Sequence, residues 1–154
     1  MPANKKQQLT IWDEKARKSL AERLSRLRGA NKPKWGQMNL GQMLDHLNKA
    51  MQMATGELKC TPKKGPLRYW PLRDLAIYVL PWPKGVATAP ELLTAEPLPW
   101  ESSRQRLIKR INATAMLPAD FAFAEHPAFG PLTHKTWGFL TYRHIDHHLR
   151  QFGV

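Results

Sequence analysis

Cysteine is almost absent from this chain. Cys60 stands alone among 154 residues, so no internal disulfide can brace the fold, as expected of a protein kept in a reducing cytoplasm. Long hydrophobic runs are missing as well. The longest, LAIYVLPW at 75–82, is far too short to cross a bilayer and is broken by a proline. The opening MPANKKQQLT carries charge with no apolar stretch behind it, so no secretory signal and no membrane partner are expected. There is no internal repeat, no low-complexity tract and no convincing strand alternation.

Acidic residues are scarce: 12 Asp and Glu against 24 Lys and Arg leave a formal net charge of +12. Such an excess invites a nucleic-acid reading. The cations are nevertheless spread along the whole chain, from Lys15 and Arg17 through Lys63 and Arg73 to Arg110 and Arg150. No zinc-finger spacing, aromatic RNA-binding pattern or heptad-linked basic region accompanies them. A solvated basic surface is the preferred reading, with a charge-driven nucleic-acid binder kept as an alternative.

What is present is helical periodicity in a chain of single-domain size, 1–154 with an ordered core over about 10–152. DEKARKSLAERLSRLR (13–28) spaces Leu20, Leu24 and Leu27 on one stripe, with Gly29 as a stop. Asn39 is a good N-cap for a second helix to Thr55, ended by Gly56, with Leu40, Met43, Leu44, Leu47, Met51 and Ala54 inward. A short apolar helix is expected near 71–80. The proline-rich connection 81–100 follows, whose Trp and Leu content suggests that it packs down and could cover a site. Residues 101–116 form the third long helix, with Leu107, Ile111 and Ala115 inward. Thr133 caps the last, KTWGFLTYRHIDHHLRQ. The expectation is all-α: an antiparallel four-helix bundle with a short extra helix and a proline-rich loop between its second and third long helices.

The last helix carries the chemistry. At about 100° per residue, His144 and His148 fall about 20° to either side of Trp137, in the middle of the apolar arc. His147 falls at its edge, and Arg143, Asp146 and Arg150 face water. Neutral imidazoles inside an apolar stripe are costly unless their nitrogens are satisfied. At i and i+4 both rings can reach one ion, the spacing of helical HExxH zinc sites. By itself the pair is also compatible with two core histidines bonded to buried polar groups. His46, inside the arc of the second helix near Met43, Ala50 and Met53, could supply a third nitrogen from a facing helix, leaving open positions for water or substrate.

HIDHHLRQ (144–151), with the upstream WGQMNLGQMLDHL (35–47), resembles the DinB/YfiT-like metalloenzyme superfamily. HPAFGPLTHKTWGFLTYRHIDHHLRQF (126–152) is similar to an uncharacterised branch of it. The resemblance spans roughly 10–152. It implies the DinB/YfiT-type four-helix bundle and a divalent metal, zinc or nickel, on His46, His144 and His148, with His147 a non-ligand neighbour. Superfamily members include thiol-dependent S-transferases and a mycothiol-dependent isomerase, and several are dimers. Where many read HHRGQ, this chain reads HHLRQ, keeping Gln151 without the glycine.

The expectation is therefore a divalent-metal-dependent enzyme, thiol-dependent S-transferase or hydrolase-like, acting on a small molecule, with a low-molecular-weight thiol as a candidate cofactor and a homodimer as a candidate assembly. A bundle that binds metal without catalysis, or whose histidines are purely structural, is the alternative. His126, before Pro127, is a candidate acid or base, or simply a loop residue held by local hydrogen bonds. Cys60 as a nucleophile has no evident partner. Asp45 and Asp146 point away from the proposed centre.

Overall fold

The computed structural model describes residues 8–85, 88–94 and 99–154. The basic start of the chain (1–7), and 86–87 and 95–98 of the proline-rich connection, lie outside them. Among the described residues the protein is helical, with no strand. Helix α1 is Glu14–Arg26, α2 Leu40–Thr55, α4 Trp100–Ala115 and α5 His134–Gln151. Between α2 and α4 lies the short α3, Leu72–Asp74, which runs on as a wider turn through Val79; the Leu80 amide closes that turn by donating to the Leu75 carbonyl at 2.8 Å. Among the described residues, no helix is long and apolar enough to cross a membrane.

Local chemistry accounts for the helix starts. Asp13 accepts from the Lys15 amide to open α1. Asn39 and Gln42 form a reciprocal capping box on α2, and Thr133 accepts from the Thr136 amide on α5. Gly56 ends α2 at φ 85°, the left-handed conformation expected of it. The end of α1 differs from the sequence expectation. Leu27, not Gly29, leaves the helix, with extended backbone, and its side chain is fully buried. Turning out one residue after Arg26 keeps Leu27 in the core, and the Arg28 guanidinium donates to the Ser25 and Leu27 carbonyls left open.

Helix α2 packs against α4 and α5, and α1 against the same two. Leu20, Leu24, Leu44, Leu47, Leu107, Ile111, Ile145 and Leu149 fill the space between them. Fully burying each leucine or isoleucine contributes roughly 1.5–3 kcal/mol before ordering costs. A second apolar cluster joins Ala50 and Met53 of α2, Trp137 and Leu140 of α5, Ile77 and Leu92. The α3 region is apolar yet faces mostly outward. Ile77 alone in that segment is fully buried, whereas Trp70 is 75% exposed and Val79 66%.

The segment before α1 docks on α5. The Ile11 amide donates to the Gly138 carbonyl at 3.2 Å, and the Trp12 indole donates to the His134 carbonyl at 3.0 Å while stacking on the His134 ring. Gly138 permits this, because a Cβ there would lie 2.0 Å from the Trp12 indole nitrogen. Gly138→Ala is therefore expected to destabilise the fold by about 1–3 kcal/mol despite alanine's better helix propensity. Urea unfolding checks this; an unchanged or raised midpoint would remove the Trp12 docking from the account.

Candidate metal centre

His46 comes from the second turn of α2, and His144 and His148 come from successive turns of α5. Their ring centroids form a nearly equilateral triangle, with His46–His144 4.9 Å, His46–His148 5.0 Å and His144–His148 4.9 Å. One nitrogen from each ring lies within 4.8 Å of the other two, and the Nε2 atoms of His46 and His144 are 2.9 Å apart. His46 and His148 are buried, and His144 keeps partial access. The structure thus brings together the three residues that the helical periodicity and the resemblance singled out. Such a group could hold a metal ion.

The outer nitrogens define the rings' protonation. His46 Nδ1 lies 3.3 Å from the Leu92 carbonyl, an acceptor only, so Nδ1 carries the proton and Nε2 offers a lone pair to the centre. His148 Nδ1 lies 2.7 Å from Gln151 Oε1. The orientation of that amide is fixed in turn, because Gln151 Nε2 donates to the Trp35 carbonyl at 2.6 Å. Two of three rings are therefore held with Nε2 lone pairs inward, the arrangement by which metal-binding histidines are usually oriented.

Two neighbouring segments hold these partners in place, and a third packs beside the rings through Arg143 and Trp82. A polar stripe on α2 ties down Pro90–Thr94: Gln42 donates to the Thr94 carbonyl at 3.1 Å, Lys49 donates to the Leu93 carbonyl at 3.0 Å, and the Asp45 carboxylate accepts from the Thr94 hydroxyl. That strap delivers the Leu92 carbonyl to His46. Gly36, at φ 78°, allows the Trp35 turn to press on Gln151; a Cβ there would lie 2.9 Å from Gln151 Nε2. The Arg143 guanidinium donates to the carbonyls of Ala76, Ile77 and Leu80 in the wider turn that follows α3 and lies 4.8 Å over the Trp82 ring. Trp82 in turn sits 5.9 Å from His144.

Arg143 corrects the helical-wheel reading, which left it in water: it is half-buried because it satisfies open carbonyls of a neighbouring segment. Asp146 likewise pairs with Arg23 of α1 at 2.7 Å as well as with Arg150. Gln151 and Leu92 were not assigned roles from the sequence. The signal for Gln151 was its position three residues after His148; a main-chain carbonyl such as Leu92's leaves none.

His126 lies outside the group of three. Its Nδ1 accepts from the amides of Ala128 and Phe129 at 3.1 and 3.2 Å, inside a loop closed by mutual backbone bonds with Gly130. Burial lowers its pKa to about 4. His147 is half-buried between the indoles of Trp35 and Trp82. Burial and the Glu91 carboxylate push the Cys60 thiol up, away from the thiolate a nucleophile needs.

Residues 81–153 match the family described as a protein of unknown function, DUF1569. The matched stretch is just under half the chain. It carries Trp82, Leu92, His144, His148 and Gln151 and leaves out His46. No curated protein matches the chain, and no solved structure does.

Burial also lowers the pKa of His46, and lowers His148 to about 3, with the neighbouring imidazoles adding to the effect. His144 is lowered by the same two causes. These rings are neutral at pH 7, as ligands must be. Between the ordinary histidine pKa of about 6.5 and the folded values, only the unfolded chain takes up protons, so stability is full above about pH 6.5 and falls as pH drops toward 4. Urea unfolding of metal-free protein at pH 5 and 7.5 should show the loss at pH 5; equal stability would contradict neutral burial. Gln151→Leu, which removes the acceptor for His148 Nδ1–H, should weaken zinc binding about 10–100-fold in a chelator competition.

Proposed function

We propose that His46, His144 and His148 hold one divalent cation, zinc or nickel, and that the protein is a metal-dependent enzyme acting on a small molecule, in a thiol-dependent S-transferase or hydrolase-like reaction. The same reading takes the helices as the antiparallel four-helix bundle of the DinB/YfiT type. The observation that carries it is the pair of outer hydrogen bonds, His46 Nδ1 to Leu92 and His148 Nδ1 to Gln151. A core histidine needs its polar atoms satisfied in any direction. Here two rings are satisfied on their far sides, with unprotonated nitrogens turned toward each other. That is unfavourable without a proton or a cation between them.

Three neutral nitrogens suit zinc or nickel and leave coordination positions free, as in a catalytic rather than a closed structural site. A cation there would supply Lewis acidity to a thiol, water or carbonyl group at those positions. The chain's own share is to orient the ligands through Leu92, Gln151 and Trp35, and to shield them from bulk water with Trp82 and the Pro90–Thr94 strap. Both devices are already in place in the free protein, as a preorganised site requires.

One observation favours a second reading. The 2.9 Å separation of His46 Nε2 and His144 Nε2 is itself a hydrogen-bond distance, so a proton from His144 could satisfy His46 in a purely structural cluster. Elemental analysis of protein purified without a histidine tag separates the two. About one zinc or nickel per chain is expected, with a lowered melting temperature after chelation, and with metal lost in His46→Ala, His144→Ala and His148→Ala while helical circular dichroism persists. Absence of metal, together with no melting shift on adding zinc or nickel, would leave the structural cluster. Bound metal without turnover across thiols paired with electrophiles would leave a binding protein.

A further inference from the structure

Beside the three histidines lies a cavity of about 230 Å³, walled by Trp35, Trp82, Lys84, Arg143, His147 and Arg150. Among the described residues, no carboxylate side chain lines it. Past Trp35, Lys84 and Arg150 it adjoins a wider depression of about 470 Å³ that adds Lys34, Gly153 and Val154. The cations are held in place by groups that leave positive charge available. The Arg143 guanidinium is met by the carbonyls of Ala76, Ile77 and Leu80 and by the Trp82 face. The Lys84 ammonium rests 4.6 Å over the Trp35 ring. Arg150 pairs with Asp146 at 2.8 Å, but Asp146 is shared with Arg23, so that carboxylate is divided between two guanidinium groups.

The pocket borders the histidine centre at two points. The His147 ring is 5.3 Å from the His148 ring, and Trp82, one of the pocket walls, is 5.9 Å from His144 and 5.8 Å from His147. Cations set in low-dielectric, partly apolar walls concentrate anions far more effectively than the same charges on an open surface. Indole faces accept a flat apolar body. A concave site of this size, with three cations in its lining, suits a small molecule better than a polyanion, which needs an extended stripe of phosphate contacts.

We propose that this pocket binds a small organic anion with a flat, apolar body, of the aromatic carboxylate or aryl phosphate class, its charged end gripped by Lys84, Arg143 and Arg150 and its ring laid against Trp82 or Trp35. This names the substrate class for the metal-dependent reading and rests on it for the word substrate; binding itself does not require the metal.

Calorimetric titration of the full chain, as purified and after chelation, tests it with four probes: benzoate, phenyl phosphate, benzamide and inorganic phosphate. Saturable one-to-one binding is expected for at least one of the aromatic anions, with uncharged benzamide and ring-free phosphate about tenfold weaker or more. Lys84 and Arg150 are exposed, so the double variant Lys84→Gln/Arg150→Gln should fold, and should lose about tenfold or more in aromatic-anion affinity. Persistence of binding after chelation, or in protein found to hold no metal, supports the pocket whatever becomes of the metal reading. Binding that vanishes on chelation would place the anion on the ion, overturning the pocket and leaving the metal reading standing. No saturable binding, equal affinity for benzamide, or an unaffected double variant would also overturn it.

Discussion

Three imidazole rings, 4.9–5.0 Å apart between two packed helices, set the terms for much of what surrounds them. A buried histidine cannot be left with unsatisfied nitrogens, and charging it is resisted by burial and by its two like neighbours. The chain meets the first demand on the outer side of two of the rings with acceptors. One is a carbonyl from a strap and the other a glutamine braced by a turn. The strap is fixed by Gln42, Asp45 and Lys49, and the turn can press close because Gly36 has no Cβ. Segments that look irregular along the chain are thus placed by the requirements of the rings they serve.

Arg143 does comparable work one turn away. By donating to three carbonyls of the wider turn after α3 it joins that turn to α5, and by lying over Trp82 it fixes a wall shared by the histidine centre and the neighbouring cavity. Loss of charge at this position would therefore act on packing as well as electrostatics, since a guanidinium here is both hydrogen-bond fork and aromatic partner. The excess of positive charge, spread along the sequence without a motif, acquires local meaning at this cavity, where Lys84, Arg143 and Arg150 share one small volume.

Much of the helical plan was legible beforehand. α2 and α5 carry strong caps and clear periodicity, and their boundaries match because capping and stripe agree. α1 ends earlier than its glycine suggested, because Leu27 gains more from the core than from another turn. The apolar segment around α3 was recognisable as a short helix, but its outward face was not, since apolar content alone does not say which side meets a neighbour.

For the candidate centre, the sequence alone determined that His144 and His148 point inward on one face and that His46 shares the apolar side of α2, because helical pitch converts spacing into direction. Tertiary structure decided that those faces meet, that Leu92 and Gln151 turn the lone pairs inward, and that Arg143 bends back onto carbonyls rather than reaching into water. Those outcomes depend on groups far apart in the chain, among them main-chain carbonyls, which every residue carries and no sequence pattern distinguishes.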